Sequence, residues 1–439
     1  MCRLFVSSVR ATALVFILSL AALPSSSALN VAGADQFSHL PNAAQAKISV
    51  ALGRPWVQAA ELHPRRTYAK YFGVSIAING DTLIVGAPGS PYHKKGTVCV
   101  FIKPKSGWKN MTQIANLFAS DGVPGDNFGS SVSISGDTVL VGAETASNYK
   151  GSAYLFVKPK GGWRTMTETA KLTASDGQSR DEFGTSVSVD ANTAFVGSYA
   201  ANSAHGKVYI FIKPQTGWSN STENAQFAPS DGSPYYNFGV SIDHDNSTIV
   251  VGAFSTTVGS NQGQGAAYVF VKTKNGWEHP KEVAELTASD GAADDLLGRS
   301  VSLSGNTIVA GAPYNAVGGA VYVYVEPSSG WVNATETAKL IASDGGGFLG
   351  DSVSISGDKV VAGAITNPNL ENVGAAYLYV EPTGGWKDMT ETVKLTASDG
   401  ESDDFLGASV LVNDSSVMAG APGHVTANQY NGAVYIFEP

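Results

Sequence analysis

The sequence predicts an all-β protein built from seven copies of one four-stranded unit, and three observations lead there. The first is a period. An aromatic residue or Leu followed by Gly recurs at Phe72-Gly73, Phe128-Gly129, Phe183-Gly184, Phe238-Gly239, Leu297-Gly298, Leu349-Gly350 and Leu406-Gly407, with steps of 56, 55, 55, 59, 52 and 57 residues between the glycines. A period this long, with strand-like content in each unit, marks a repeat array. The second is the content of the unit, which reads as four short strands. The third is that the last unit lacks its fourth strand while a matching strand stands ahead of the first unit, as a closed ring requires.

The second unit shows the elements in order. Ser131-Val132-Ser133-Ile134-Ser135 alternates strictly, the period of a strand with two unlike faces. Gly136-Asp137 makes a short turn, and Thr138 to Gly142 is a second strand rich in β-branched residues. A loop leads to Gly151, Ala153 to Val157 is the third strand, and Lys158 to Gly162 is a turn containing Pro and Gly. Trp163 to Thr173 contains the fourth. Four antiparallel strands repeated seven times make a seven-bladed β-propeller. The small Ser face of each first strand lets neighbouring blades approach. The Phe or Leu before each repeated Gly reads as a plug between blades, and the Gly as a backbone turn without a Cβ. Cys99 stands where other units carry Tyr154, Tyr209 and Tyr268, and reads as a packed strand residue.

Closure follows from the ends of the array. The last unit stops at Pro439, after its third strand, and Trp56-Val57-Gln58-Ala59-Ala60-Glu61-Leu62 matches the fourth strand around Trp163 and Leu172. An N-terminal strand completing the last blade removes the exposed sheet edges. The propeller is thus expected over residues 56–439, with 29–55 as a loosely attached leader. Residues 1–28 read as a signal peptide: Arg3 and Arg10 precede an apolar run from Ala11 to Leu23, then small residues to Ala28, with Ala34 as a second cleavage position. That run is short for a membrane span, which needs about 20 residues. The expected product is secreted or at the cell surface, with no membrane span after cleavage.

The bulk composition agrees. Charged residues make up only 15%, Gly is abundant at 49, and the net charge of −9 argues against a nucleic-acid partner. Two cysteines, one inside the signal segment, leave no disulfide framework.

The Phe-Gly pairs, followed by Gly86-Ala87-Pro88, Gly311-Ala312-Pro313 and Gly420-Ala421-Pro422, resemble the FG-GAP repeats of integrin α-subunit propellers and related exported proteins. The resemblance covers residues 56–439 and implies a seven-bladed propeller engaged in extracellular ligand binding or adhesion. One departure matters. Integrin propellers hold calcium in long acidic hairpins between strands 1 and 2, whose alternating oxygens suit a hard cation. Here those hairpins read Asn79-Gly80-Asp81, Gly136-Asp137, Gly305-Asn306 and Gly357-Asp358, too short to wrap an ion. Asp243-His244-Asp245-Asn246-Ser247 comes nearest, and a tight hairpin is the better reading of it. No cofactor is required, and calcium is the one candidate ion.

Strand parity puts the 4–1 and 2–3 loops on one rim, where binding residues are expected. The 4–1 loops repeat Ser-Asp-Gly at Asp121, Asp176, Asp231, Asp290, Asp344 and Asp399, and Asp126, Asp181, Asp295 and Asp404 add a second acid. The bland reading is that the first Asp caps a turn and the Gly supplies a positive φ. The sharper one makes Asp121, Asp126, Asp176, Asp181, Asp295 and Asp404 ligands of peripheral divalent ions. Two departures mark candidate ligand sites. The first 4–1 loop reads His63-Pro64-Arg65-Arg66, beside Tyr92-His93-Lys94-Lys95 in the 2–3 loop of blade 1. The second pairs Tyr199 and His205 with Tyr235 and Tyr236. Such basic and aromatic groups suit anions, sugars or peptide carboxylates.

Asn110, Asn220, Asn246, Asn333 and Asn413 head glycosylation sequons, three of them at one repeat position after Trp. The leading functional reading is a non-catalytic binding or adhesion glycoprotein with an extracellular protein or glycan ligand. The alternatives are a propeller lyase or hydrolase acting on acidic polysaccharide, with His93 or His205 as base, and a lectin.

Overall fold

The structure is a computed structural model that describes residues 55–65, 70–89, 95–230, 236–366, 373–426 and 429–439. These belong to one compact unit. The signal and leader expectations at residues 1–54, and Arg66, Tyr92, His93, Lys94, Asp231 and Tyr235, lie outside the described residues.

Seven antiparallel sheets form the blades. Blade 2 runs Val132–Ser135, Thr138–Ala143, Ser152–Val157 and Ala170–Thr173 from the axis outward. Blade 7 consists of Ser409–Val412, Val417–Ala421 and Ala433–Glu438, and its fourth strand is Val57–His63 from the other end of the chain. That closing strand pairs antiparallel with Ala433–Glu438, matching Glu61 to Tyr435 and Leu62 to Val434. The first strands pack one against the next around the whole ring, including Ser75–Asn79 against Ser409–Val412.

The strict Ser-Val-Ser alternation has a chemical purpose at this contact. In every blade one first-strand Ser donates its hydroxyl to the carbonyl of the repeated Gly in the next blade. The chain of bonds runs Ser75 to Gly129, Ser131 to Gly184, Ser186 to Gly239, Ser241 to Gly298, Ser300 to Gly350, Ser352 to Gly407 and Ser409 to Gly73, all at 2.7 to 2.9 Å. The last of these crosses the closure. The glycines are needed for space as well as for backbone shape. Gly184 has φ +99, and a Cβ on Gly142 would fall 1.9 Å from the Gly184 carbonyl oxygen. Phe72, Phe183 and Leu349 are fully buried, as inter-blade plugs should be, and Cys99 is buried in its strand with its thiol pushed up to about 12 by burial.

A fifth element was not apparent in the pattern. A two-residue strand from the next unit's 3–4 connection adds in parallel to the outer edge of a blade, as Met166–Thr167 does beside Leu117 and Phe118. Met111–Thr112 does the same beside Leu62 and His63, so the closing strand is covered on its outer side too. Covering an outer edge in this way shields ladder groups that another chain could otherwise pair with.

Candidate functional site

The rim of 4–1 and 2–3 loops begins with residues that tie blades together. The Ser of each Ser-Asp-Gly is gripped by the acid of the following unit. Ser120 gives its N–H (2.9 Å) and its hydroxyl (2.6 Å) to the two oxygens of Glu168, and the same two-point grip joins Ser175 to Glu223, Ser230 to Glu282, Ser289 to Glu336 and Ser343 to Glu391. Gln takes the acid's place on either side of the closure, where Gln58 accepts from Ser398 N–H at 2.9 Å and Gln113 from Arg65 N–H at 2.7 Å.

The first Asp chiefly bridges to the following blade, although Asp344 also caps its turn by accepting Gly346 N–H at 3.2 Å. Asp121 accepts the Tyr154 hydroxyl at 2.9 Å and the Lys171 ammonium at 2.6 Å, both from the following blade. Asp176 with Tyr209 and Lys207, Asp290 with Tyr322 and Lys339, and Asp344 with Tyr377 and Lys394 repeat the arrangement. Burial works against ionisation of these four carboxylates. The hydrogen bonds from lysine and tyrosine outweigh it and hold each below the usual carboxylate range. The turn is capped instead by the second acid: Asp126 accepts Val123 N–H, Asp181 Gln178 N–H, Asp295 Ala292 N–H and Asp404 Glu401 N–H, at 2.7 to 2.9 Å. Among the described glycines of the motif only Gly345 has a positive φ, +86. At Gly291 a Cβ would fall 2.3 Å from the Gln264 amide nitrogen, and at Gly122 3.2 Å from the Cβ of Ala119. An acceptor on the same rung bridges blades, so the sequence reads Ser-Asp-Gly for packing.

The position after Trp has a similar explanation. Asn110, Asn220 and Asn333 accept the backbone N–H of Glu61, Lys171 and Glu285, and Asp388 does the same for Lys339. Three of the five sequons therefore carry an Asn that the blade contact itself uses. Asn246 is exposed in its hairpin, and Asn413 caps Ser415 and Ser416 through its side-chain oxygen.

Against this saturated background the departures stand out. Arg65 and Lys95 are exposed, and neither makes an ion pair among the described residues. Their loops run side by side, since Gly89 N–H donates to the Lys70 carbonyl at 3.2 Å. In the second predicted group the two segments adjoin, since Phe238 N–H donates to the His205 carbonyl at 3.2 Å, but its described side chains have different partners. Tyr199 donates its hydroxyl to Glu182 at 2.7 Å, His205 gives its Nδ1 proton to the Asn202 carbonyl, and Tyr236 is buried in the core. Tyr199 thereby joins a charged group not foreseen from sequence. Burial and the neighbouring Glu182 raise the pKa of Glu144, which accepts from Asn127, while Arg299 pairs with Asp351 at 3.4 Å.

The sequence matches the FG-GAP repeat profile seven times, at residues 56–101, 111–156, 166–211, 221–270, 280–324, 334–379 and 389–437. The chain belongs to the FG-GAP repeat family. No curated protein matches it. The first match begins within the closing strand and the last ends within its partner, so the FG-GAP units are cut from the chain one strand out of phase with the blades.

The calcium hairpins of integrin-type FG-GAP propellers have no counterpart among the described residues. Asn79 pairs with Thr82 across a two-residue turn whose Gly80 has φ +57, and Asn79 spends its side-chain oxygen on Gly136 N–H. In the Asp243 hairpin, Asp245 caps Ser247 and Thr248 at 2.8 Å. Desolvation raises the pKa of the half-buried Asp243 despite bonds from Ser302 and Leu303 in the next blade. These oxygens diverge, so the hairpins do not fit the ion. One further group escaped the sequence reading. Glu61, Asp399 and His424 converge where the closing strand meets blade 7. Aligning the fourth strands could have signalled it, because Glu61 stands where Lys171, Lys339 and Lys394 stand elsewhere.

Proposed function

We propose that the chain is an exported, non-catalytic binding propeller that takes an acidic extracellular ligand, a glycan or a peptide, on the 4–1/2–3 rim at blade 1. An FG-GAP propeller is a binding or adhesion type of domain, and FG-GAP repeats are typical of extracellular proteins. No helix among the described residues is long and apolar enough to cross a membrane. The observation that carries the assignment is the contrast along the rim. In four of the other 4–1 loops the first acid is matched by lysine and tyrosine, whereas Arg65 and Lys95 present positive charge from two adjoining loops with no ion pair among the described residues. Unpaired like charges repel one another and are relieved by an anion.

The experiment is an array of acidic glycans and acidic peptides on the purified chain, followed by titration of the best binder with wild type and with Arg65→Glu/Lys95→Glu. Both side chains are exposed, so stability should change by less than about 0.5 kcal/mol. The expected result is roughly tenfold weaker binding at physiological salt with faster dissociation and slower association. Equal affinity in the two proteins would remove the ligand from this loop pair.

A further inference from the structure

The junction that closes the ring holds a set of side chains that the other blades do not repeat. In four blades an Asp–Tyr pair is completed by a lysine, at Lys171, Lys207, Lys339 and Lys394. Blade 7 keeps the pair, with Tyr435 donating to Asp399 at 3.0 Å. Opposite Tyr435, however, the closing strand supplies Glu61 in the register where blades 2, 5 and 6 supply lysine and blade 4 supplies Glu285. A third carboxylate, Asp404, lies within the same group, and its second oxygen has no hydrogen-bond partner. Three acids thus gather where blades 2, 3 and 5 carry two acids and an ammonium.

The nitrogen that faces them is oriented. His424, 8% exposed, binds Asp404 through Nδ1 at 2.9 Å. Held by Asp404 through Nδ1, the imidazole faces Glu61 Oε1 at 3.7 Å and Asp399 Oδ2 at 4.0 Å with Nε2. A carboxylate holding the far nitrogen is the usual support of a metal-bound histidine. The three ligand atoms lie within 4.8 Å of one another, the one such group among the described residues. Ligands about 2.0–2.2 Å from a tetrahedral ion stand roughly 3.3–3.6 Å apart, so the two histidine distances need to close by a few tenths of an ångström and the widest pair by up to about 1 Å. His63 borders it, with Nε2 3.0 Å from the same Glu61 oxygen and its ring 6.5 Å from that of His424.

We propose that Glu61, Asp399 and His424, with Asp404 orienting the histidine, form a site for a divalent transition metal of the zinc class. Imidazole beside two carboxylates favours such an ion over calcium or magnesium, which prefer all-oxygen sets. The ligands come from the closing strand, the loop between blades 6 and 7, and the 2–3 loop of blade 7, so the ion staples the closure. This inference is independent of the acidic-ligand reading, which rests on Arg65 and Lys95.

The test is calorimetric titration of the full chain, first stripped with chelator, with zinc and separately with calcium, together with thermal melts. Glu61→Lys is the informative variant because it installs the residue that three sister blades already tolerate at this position. His424→Ala is the second. Wild type should bind one zinc per chain and melt at higher temperature with it, tenfold excess calcium should not displace the zinc, and both variants should lose the binding and the shift. Glu61→Lys should fold without metal, which keeps the test valid if His424→Ala does not. Absence of zinc binding by wild type would overturn the proposal and leave His424 as a plain ion-pair partner. So would one zinc per chain persisting in Glu61→Lys, which would place the ion on other histidines.

Discussion

If the ring is closed by Val57–His63, Leu62 is as much a core residue as its counterparts inside continuous blades. Leu62 pairs with Val434 and is fully buried; Leu340 pairs with Val321 in blade 5 and is equally buried. Leu→Ala removes three carbons, worth roughly 2.4 kcal/mol at about 0.8 kcal/mol each, and the cavity left behind brings the expected cost to about 3–4 kcal/mol. A strand that frayed freely would cap the loss at its own small opening energy, well below that figure. The assay is urea unfolding of wild type, Leu62→Ala and Leu340→Ala, comparing midpoints at a common slope. Equal shifts, within about 0.5 kcal/mol, are expected. A Leu62→Ala midpoint close to wild type, with Leu340→Ala strongly shifted, would refute closure by this strand.

Two further outcomes are expected. Ser409→Ala removes the hydroxyl that reaches the Gly73 carbonyl across the closure at 2.7 Å, and leaving that buried acceptor unpaired should cost about 1–3 kcal/mol, read as a lowered melting temperature. Asp121, Asp176, Asp290 and Asp344 have depressed folded-state pKa values, so their stabilisation is present above the unfolded value of about 4 and is lost as pH falls through the lower folded values. Melting temperature should therefore drop between about pH 5 and 2, and less steeply in Asp290→Asn than in wild type.

The fold was legible because repetition amplifies weak local signals. One Ser-Val-Ser-Ile stretch is an ordinary strand pattern, but seven at a near-constant step, with the Trp56 to Leu62 segment standing in for the missing last strand, specify both the blade and the closure. What the pattern hid was the purpose of its polar residues. Ser-Asp-Gly reads as a turn, and Asp121 was taken to cap it. Only the packing of consecutive blades reveals that Asp121 reaches Tyr154 and Lys171, while Asp126 holds the turn. The Glu168 grip on Ser120 spans 48 residues and has no local signature. The closure group was hidden more deeply, since Glu61 and His424 lie at opposite ends of the array and meet only when the ring shuts. Arg65 and Lys95 were visible as departures from the repeat, and their loops do adjoin through Lys70 and Gly89.

The claim that ligand binds the 4–1/2–3 rim at blade 1 is tested most directly by amide hydrogen exchange of the chain with and without its best acidic binder. The account predicts slowed exchange in Leu62–Arg65, Lys70–Gly73, Gly86–Gly89 and Lys95–Val98, with the 1–2 hairpins at Asn79–Thr82 and Ser135–Thr138 unchanged. Protection of those hairpins instead, with the blade 1 loops unaltered, would place the ligand on the opposite rim and contradict it.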